Sequence, residues 1–366
     1  MDYKQLRDLA LHHETPVLFL SKNRLKANCD ALHSVLPGVD IYYAVKSNSI
    51  PEILTVLAEE NMFFDVCTSG EIEDVQAAGI TGARCLHTHP VKTDREIKNA
   101  LDFGISLFVA DNEYELKKLV PYKDTLKVLI RLSIQNPGCV VNLSHKFGVE
   151  PEAAFDLIKA AHERGLMVEG ICFHVGSQNE NSLKFNEALE YCRDICRKAA
   201  LAGIVLKIID IGGGFPIDYV TSAVPLTKFC LPVNEYLERY FAGYRIIAEP
   251  GRYISGTSMT LATSIIGKSL RNGVWWYYLD DGVYGSFSGK IYDHADYPMI
   301  VPREGERFSS TLAGPTCDSI DVIYENIPLP ELEIGDILLF ESMGAYTNAS
   351  ASNFNGFPKA KVVVID

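Results

Sequence analysis

The run Tyr42-Tyr43-Ala44-Val45-Lys46-Ser47-Asn48 is the stretch on which the rest of the chain turns. A short apolar segment ends in a lysine, and polar residues then lead to Pro51, which suits the first turn of a helix. Burying an ammonium in a strand is costly unless it is paired or neutralised. A desolvated lysine with a lowered pKa is also the group that Schiff-base chemistry uses. A lysine snorkelling from a strand end into solvent explains the same residue without any function. The context decides between the two.

Outward from this stretch the chain alternates. Strand-like runs fall at 41–45, 63–67, 84–87, 106–110, 127–132, 168–175, 207–211 and 245–249. Helical patterns lie between them at 51–60, 69–78, 93–102, 112–119, 151–164 and 183–202. Pro51 and Pro151, each followed by a glutamate, and Thr93-Asp94 mark helix starts. Eight strands alternating with helices predict a (β/α)8 barrel, whereas an open doubly wound sheet more often has five or six strands. Beyond about residue 255 the helical period fades. Trp275–Leu279, Ile337–Phe340 and Lys361–Ile365 read as strands of a mainly antiparallel β domain, a barrel or sandwich. The expected division is a barrel over 22–255 and a β domain over 256–366, joined by residues 1–21, which hold a short amphipathic helix (3–12) and a strand (15–20).

Composition narrows the function. The 366 residues are 47% hydrophobic and 22% charged, enough for a large core. A formal net charge of -13 argues against a nucleic-acid binder and suits a cationic small molecule, although solubility alone explains most of it. The nine cysteines form no C-x-x-C pair, and Cys192 and Cys196 lack matching ligands, so no metal site is expected. Reduced thiols fit a cytoplasmic protein. Met1-Asp2-Tyr3-Lys4 has no apolar signal region, and no apolar run approaches a membrane span.

Active sites of such barrels form at the C-terminal strand ends. Lys46 ends the first strand, Asp65 lies in the second, Arg131 in the fifth, and His174 and Ser177 follow the sixth. Gly212-Gly213-Gly214 follows the seventh strand and Glu249-Pro250-Gly251-Arg252 the eighth. Glycines after strands seven and eight free backbone N–H groups for an anion, although a glycine triplet alone is usually a turn. A lysine, a phosphate cradle and the carboxyl of Glu249 beside a ring nitrogen together suggest pyridoxal phosphate. His174 would pack on the ring face; alone it reads as a satisfied core histidine. In the β domain, Gly314-Pro315-Thr316-Cys317-Asp318-Ser319-Ile320-Asp321 holds a potential proton donor and a carboxylate for a cationic substrate end. Read alone, Cys317 is a buried small hydrophobe. Asp293 is a second acidic candidate in a strand context, and Tyr284 lies in a glycine-rich turn. Two loop-like runs, 343–347 and 354–357, are rich in aromatics.

Tyr-Ala-Val-Lys-Ser-Asn, His-Val-Gly-Ser, Asp-Ile-Gly-Gly-Gly-Phe-Pro, Glu-Pro-Gly-Arg-Tyr, Gly-Pro-Thr-Cys-Asp-Ser-Ile-Asp and Met-Gly-Ala-Tyr-Thr occur here in this order. Together they resemble the alanine-racemase-fold pyridoxal-phosphate decarboxylases, and within them the ornithine decarboxylase branch, over about residues 40–360. The resemblance implies a homodimer with two shared active sites and Lys46 in Schiff-base linkage to the cofactor. It implies Glu249 on the ring nitrogen and His174 on the ring face. Ser177, Gly212, Gly213, Gly214, Gly251, Arg252 and Tyr346 would hold the phosphate, and Asp65, Glu71 and Arg131 would support the pocket. From the partner, Cys317 would protonate the substrate carbon and Asp318 would bind the distal ammonium, with Asp293, Tyr284 and Phe354 lining the tail.

The implied reaction is decarboxylation of L-ornithine to putrescine, a step of polyamine biosynthesis, with L-lysine to cadaverine beside it. Diaminopimelate decarboxylases share the Gly-Ser-Gln found here at 176–178, but usually carry Glu-Ser where this chain has Asp318-Ser319. Asp318 and Asp293 suit an ammonium tail. Arginine or meso-diaminopimelate as substrate, an antizyme-inhibitor-like binder without catalysis, and a racemase on the same barrel are the alternatives. Lys46, Glu249, Arg252 and Cys317 are all present, which speaks against the binder. The Cys-Asp motif points away from the racemase.

Overall fold

A computed structural model of the chain describes residues 1–139 and 143–366. It divides into two compact units. The chain opens with α1 (Tyr3–His13), β1 (Val17–Leu20) and α2 (Lys22–Val35). Eight strands then close into a parallel barrel: β2 (Val39–Ala44), β3 (Phe63–Val66), β4 (Cys85–His87), β5 (Leu107–Ala110), β6 (Lys127–Leu132), β7 (Met167–Phe173), β8 (Ile208–Asp210) and β9 (Arg245–Ala248). Closure is made by β2 pairing with β9 from Val39↔Ile246 to Ile41↔Ala248. The Arg245–Asp40 ion pair at 2.6 Å marks the start of that seam.

The connecting helices are α3 (Pro51–Glu59), α4 (Ser69–Ala77), α5 (Asp94–Phe103), α6 (Glu113–Leu119), α7 (Pro151–Glu163), α8 (Leu183–Leu201) and α9 (Leu226–Tyr240), followed by the short α10 (Arg252–Ser255). Their starts obey local chemistry. Pro51 and Pro151 occupy first-turn positions whose N–H would have no helical partner. Thr93 and Glu96 form a reciprocal capping box on α5, and Thr68 caps α4 by accepting from Glu71 N at 3.2 Å.

Inside the barrel, Tyr42, Leu86, Leu107, Val109, Leu129, Cys172, Ile208 and Ile247 interlock as a solid plug, with Phe63 packed on them. The chemistry is therefore confined to the layer above this plug, at the C-terminal strand ends. On the outside, Phe185 of α8 meets Phe229 of α9 edge-on at 5.8 Å, and both touch Phe215.

The other unit is built on one eight-stranded sheet. Its later strands are β10 (Met259–Arg271), β11 (Val274–Leu279), β12 (Met299–Ile300), β13 (Arg307–Ala313), β14 (Val322–Pro330), β15 (Ile337–Phe340) and β16 (Lys361–Val364), with α11 (Gly289–Tyr292) before β12. The strand order is β12-β15-β10-β11-β13-β14, and β1 bridges β10 and β16. The sheet is mixed, because β1–β16 and β11–β13 pair in parallel while the other pairs are antiparallel. A bulge at Ile265/Gly267 lets the long β10 pair with β15 and β1 in its first half and with β11 in its second.

Two sequence readings change here. Asp293 does not lie in a strand but caps the end of α11, because the glycine-led turn at 285–289 starts a helix. Cys317 is not buried but exposed, because it sits on a loop between β13 and β14 and not within either strand. Among the described residues no helix is long and apolar enough to cross a membrane.

Truncating the buried Phe229 by Phe229→Ala should cost about 3–5 kcal/mol of stability, whereas Leu231→Ala two residues along, 57% exposed, should stay within about 0.5 kcal/mol. Urea unfolding followed by circular dichroism checks the contrast.

Candidate active site

Side chains along a strand alternate between faces, so a residue two beyond an interior one also points inward. Stepping two places on from the plug gives the next layer. Phe63 leads to Asp65, Leu86 to Thr88, Leu129 to Arg131, Cys172 to His174, Ile208 to Asp210 and Ile247 to Glu249. Tyr42 leads to Ala44 and then to Lys46 in a 3-10 turn, Val45–Ser47. The pleat of the barrel thus assembles a lysine, an arginine, an imidazole and three carboxyl groups.

Lys46 Nζ lies 2.6 Å from Asp65 Oδ2; the lysine side chain is 37% exposed and the aspartate 0%. The other oxygen, Asp65 Oδ1, accepts from Thr88 Oγ1. Behind Asp65, Cys67 N donates to Glu71 Oε2 at 2.6 Å. Burial pushes the Glu71 carboxyl up to about 7 against the opposing pull of Lys46. Arg131 stacks its guanidinium over Phe147 at 5.5 Å.

The glycines pack where side chains could not. A Cβ on Gly212 would stand 2.2 Å from the Phe173 carbonyl oxygen, and one on Gly213 would stand 2.6 Å from that of Glu249. One on Gly214 would meet Gly176 O at 2.3 Å, and one on Gly251 would meet Ser47 Cβ at 2.8 Å. Gly212 and Gly214 also hold positive φ, +66 and +101, which disfavours any L side chain. The loops after β7, β8 and β9 therefore draw together. Arg252 reaches across them, with Nε 3.2 Å and Nη2 3.1 Å from Ser177 Oγ. Glycine backbone, hydroxyl and guanidinium make a surface for an anion.

Glu249 and Asp210 are buried together. Burial and the neighbouring Asp210 push the Glu249 carboxyl well up, and burial raises Asp210 as well, although Gly212 N donates to its Oδ1 at 2.8 Å. Carboxyls so deeply buried survive without a cation by keeping a proton. His174 Nδ1 accepts from Gly176 N at 2.9 Å, so its hydrogen sits on Nε2. Burial, Arg131 and Lys46 lower its pKa to about 3, which keeps the ring neutral.

In the β unit, four of the expected residues form one cluster. Tyr284 Oη donates to Asp318 Oδ2 at 2.5 Å, and this bond holds the Asp318 carboxyl below its usual range. Phe354 stacks on Tyr284 at 4.3 Å, and Cys317 N donates to Asn355 Oδ1 at 2.9 Å. Asp321 ties their loops by accepting from Val283 N at 2.8 Å and from Thr316 N at 3.0 Å. Cβ atoms on Gly282 or Gly314 would fall 2.2 Å from its Oδ1. Asp293 stands at the end of α11, and Tyr346, with φ of 55, lies in the loop after β15.

Sequence reading missed Thr88, Cys67, Asp210, Asn355 and Asp321. The two-residue step from the plug was the available signal for Thr88 and Asp210. Asn355 and Asp321 act through loop backbone, which carries no period.

A family model described as pyridoxal-dependent decarboxylase, pyridoxal binding domain, matches residues 22–256. The lysine/ornithine decarboxylase of Selenomonas ruminantium is 39% identical over 364 residues, 99% of this chain and 93% of that protein. The ornithine decarboxylase of Mus musculus is 36% identical over 351 residues, 90% of this chain and 76% of that protein. The crystal structure of a lysine/ornithine decarboxylase complexed with cadaverine from Vibrio vulnificus matches with a TM-score of 0.95 at 39% identity, covering 99% of this chain and 98% of that one.

The residues present fit pyridoxal phosphate. A lysine stands ready for the aldehyde, the packed glycines with Ser177 and Arg252 suit a phosphate, and the Asp210–Glu249 pair suits a cationic ring nitrogen.

The raised Glu71 carboxyl has a consequence for stability. It binds a proton in the folded chain that the unfolded chain releases near 4.5, so its contribution is complete below about 4.5 and lost as pH rises through about 7. His174 and His87, lowered to about 3 and about 4, act in the opposite sense, losing stability as pH falls below about 6.5. Glu71→Gln should therefore make the denaturation midpoint of the cofactor-free protein climb, relative to wild type, between about pH 4.5 and 7. A mutant that follows the wild-type pH profile would show that Glu71 does not bind the extra proton.

Proposed function

Because the chain belongs to the pyridoxal-dependent decarboxylases, we propose that it removes CO2 from L-ornithine and, beside it, from L-lysine, forming putrescine and cadaverine. Pyridoxal phosphate, when bound, supplies the electron sink that such a bond cleavage needs. Lys46 carries it and is held by Asp65, with Glu71 and Arg131 around it. Ser177, Gly212, Gly213, Gly214, Gly251, Arg252 and Tyr346 hold its phosphate. Glu249 would hold the ring nitrogen, a cationic partner that would let the buried carboxyl ionise. His174, neutral with its hydrogen on Nε2, would hold the ring without adding charge to it.

The observation that carries the substrate class is the Asp318 carboxylate, kept ionised by Tyr284. A charge-assisted bond from an ammonium held there favours a diamino acid over a neutral one. One methylene changes discrimination by only about 1–3 kcal/mol, so both ornithine and lysine are admitted. Asp293, Tyr284 and Phe354 line the tail, and Cys317 Sγ returns a proton to Cα.

The working form is a homodimer in which each β unit serves the partner's barrel. Support comes from apolar side chains around the Cys317–Asp318 loop, with Tyr292 69%, Ile320 54% and Phe354 41% exposed. Desolvation on pairing would give the thiol and the carboxylate the dry surroundings that catalysis favours. Diamine formation for polyamine synthesis in the cytoplasm fits nine unpaired cysteines.

The deciding assay measures CO2 release from L-ornithine, L-lysine, L-arginine and meso-diaminopimelate in parallel, with ornithine or lysine expected to dominate. Release from diaminopimelate alone would overturn the carboxylate-tail reading. Asp318→Ala should lower kcat/KM for ornithine by about 10–100-fold, chiefly through KM. Lys46→Ala and Cys317→Ala should each be inactive, yet mixing them should restore about a quarter of wild-type activity through hybrid dimers with one intact site. No recovery on mixing would refute shared sites.

A further inference from the structure

The Lys46–Asp65 pair has an anchor of its own. Thr88 Oγ1 has one hydrogen, which it gives to Asp65 Oδ1. Cys67 Sγ lies 3.6 Å from the same hydroxyl oxygen. With that single hydrogen committed, the thiol must be the donor, and burial, which pushes Cys67 up to about 12, keeps it protonated. The donors therefore run in one direction, from Cys67 Sγ–H to Thr88 Oγ1 and from Thr88 Oγ1–H to Asp65 Oδ1, while Lys46 Nζ approaches Oδ2 from the other side. Thr88 is 5% exposed, and its backbone N–H is fixed to Val66 O at 3.1 Å by the β3–β4 ladder. The hydroxyl is thus held by the barrel itself.

We propose that Thr88 is a positioning residue: backed by the Cys67 thiol, it pins Asp65 Oδ1, keeps Oδ2 turned to Lys46, and so sets how readily Lys46 gives up its proton. This rests on Lys46 being the cofactor lysine. Capture of the cofactor needs the neutral amine, whose nitrogen bonds to the aldehyde carbon. The aldehyde oxygen leaves as water, and the ammonium proton passes to solvent.

The titratable groups facing the pair are Glu71 at the start of α4, His87 of β4, His174 after β7, Asp210 of β8 and Glu249 after β9. In this buried layer a hydrogen-bond donor on Oδ1 counts for more than in water. Without that donor the Asp65 carboxylate is free to turn Oδ2 away from Lys46, and Lys46, with less anionic charge beside it, loses its proton at lower pH.

The test incubates cofactor-free protein with pyridoxal phosphate across pH, reduces it with borohydride, and counts the cofactor fixed on Lys46 by mass spectrometry. Thr88→Val, which keeps the shape and removes the hydroxyl, should move the half-capture pH down by about one unit. Thr88→Ser should restore the wild-type midpoint, a rescue that a merely structural role of the methyl group would not give. Cys67→Ala should move it in the same direction by less, and this variant decides the matter if Thr88→Val does not fold. Wild-type midpoints in both Thr88→Val and Cys67→Ala would overturn the proposal. Wild-type protein that captures the cofactor elsewhere than Lys46, or not at all, would overturn the cofactor reading beneath it.

Discussion

A buried carboxyl group must find a cation, a donor or a proton. The upper layer of the barrel holds Asp65, Asp210 and Glu249, and each meets this demand differently. Asp65 has Lys46 on one oxygen and Thr88 on the other. Asp210 takes the Gly212 N–H on Oδ1, and burial raises its carboxyl as it does that of Glu249. Among the described residues Glu249 makes no ion pair, a demand that a cationic ring nitrogen would answer. Much of the local architecture follows. Gly212 must be glycine to approach Phe173 O, and its N–H then lies within reach of Asp210.

The same pleat that builds the core delivers the chemistry. Leu86, Leu129, Cys172, Ile208 and Ile247 seal the barrel, and the residues two places on open into the site. The apolar plug below excludes water from the floor, so hydrogen bonds in the layer above act at low local dielectric. That is why one hydroxyl, on Thr88, can bear on a lysine it does not touch.

Much of this was legible in the sequence, for identifiable reasons. Strand–helix alternation marked the eight barrel strands, with ends shifted by a residue or two. Lys46, His174 and Glu249 stood out because charged or imidazole groups interrupt apolar runs. Thr88 did not stand out, since a threonine at a strand end is unremarkable until its hydroxyl is seen on Asp65. Asp293 was misread because Ile291-Tyr292 has strand-like composition, and the glycine-led turn that starts α11 overrides it. The long β10 escaped because its bulge breaks the period of two. Asp321 and Asn355 work on backbone amides across loops, and such partnerships leave no trace in spacing.

Cys317 is the exposed cysteine, whereas burial pushes Cys29, Cys67, Cys85 and Cys230 up to about 12 and Cys172 and Cys192 well above their usual range. Thiolate, not thiol, is what alkylating and oxidising agents attack. In the unpaired subunit a reagent therefore reaches Cys317, the proposed proton donor to substrate carbon, before the buried sulfurs, with the half-buried Cys139 between them in accessibility. Pairing that dries the Cys317 loop would shield this sulfur, so its alkylation would tell unpaired subunits from paired ones.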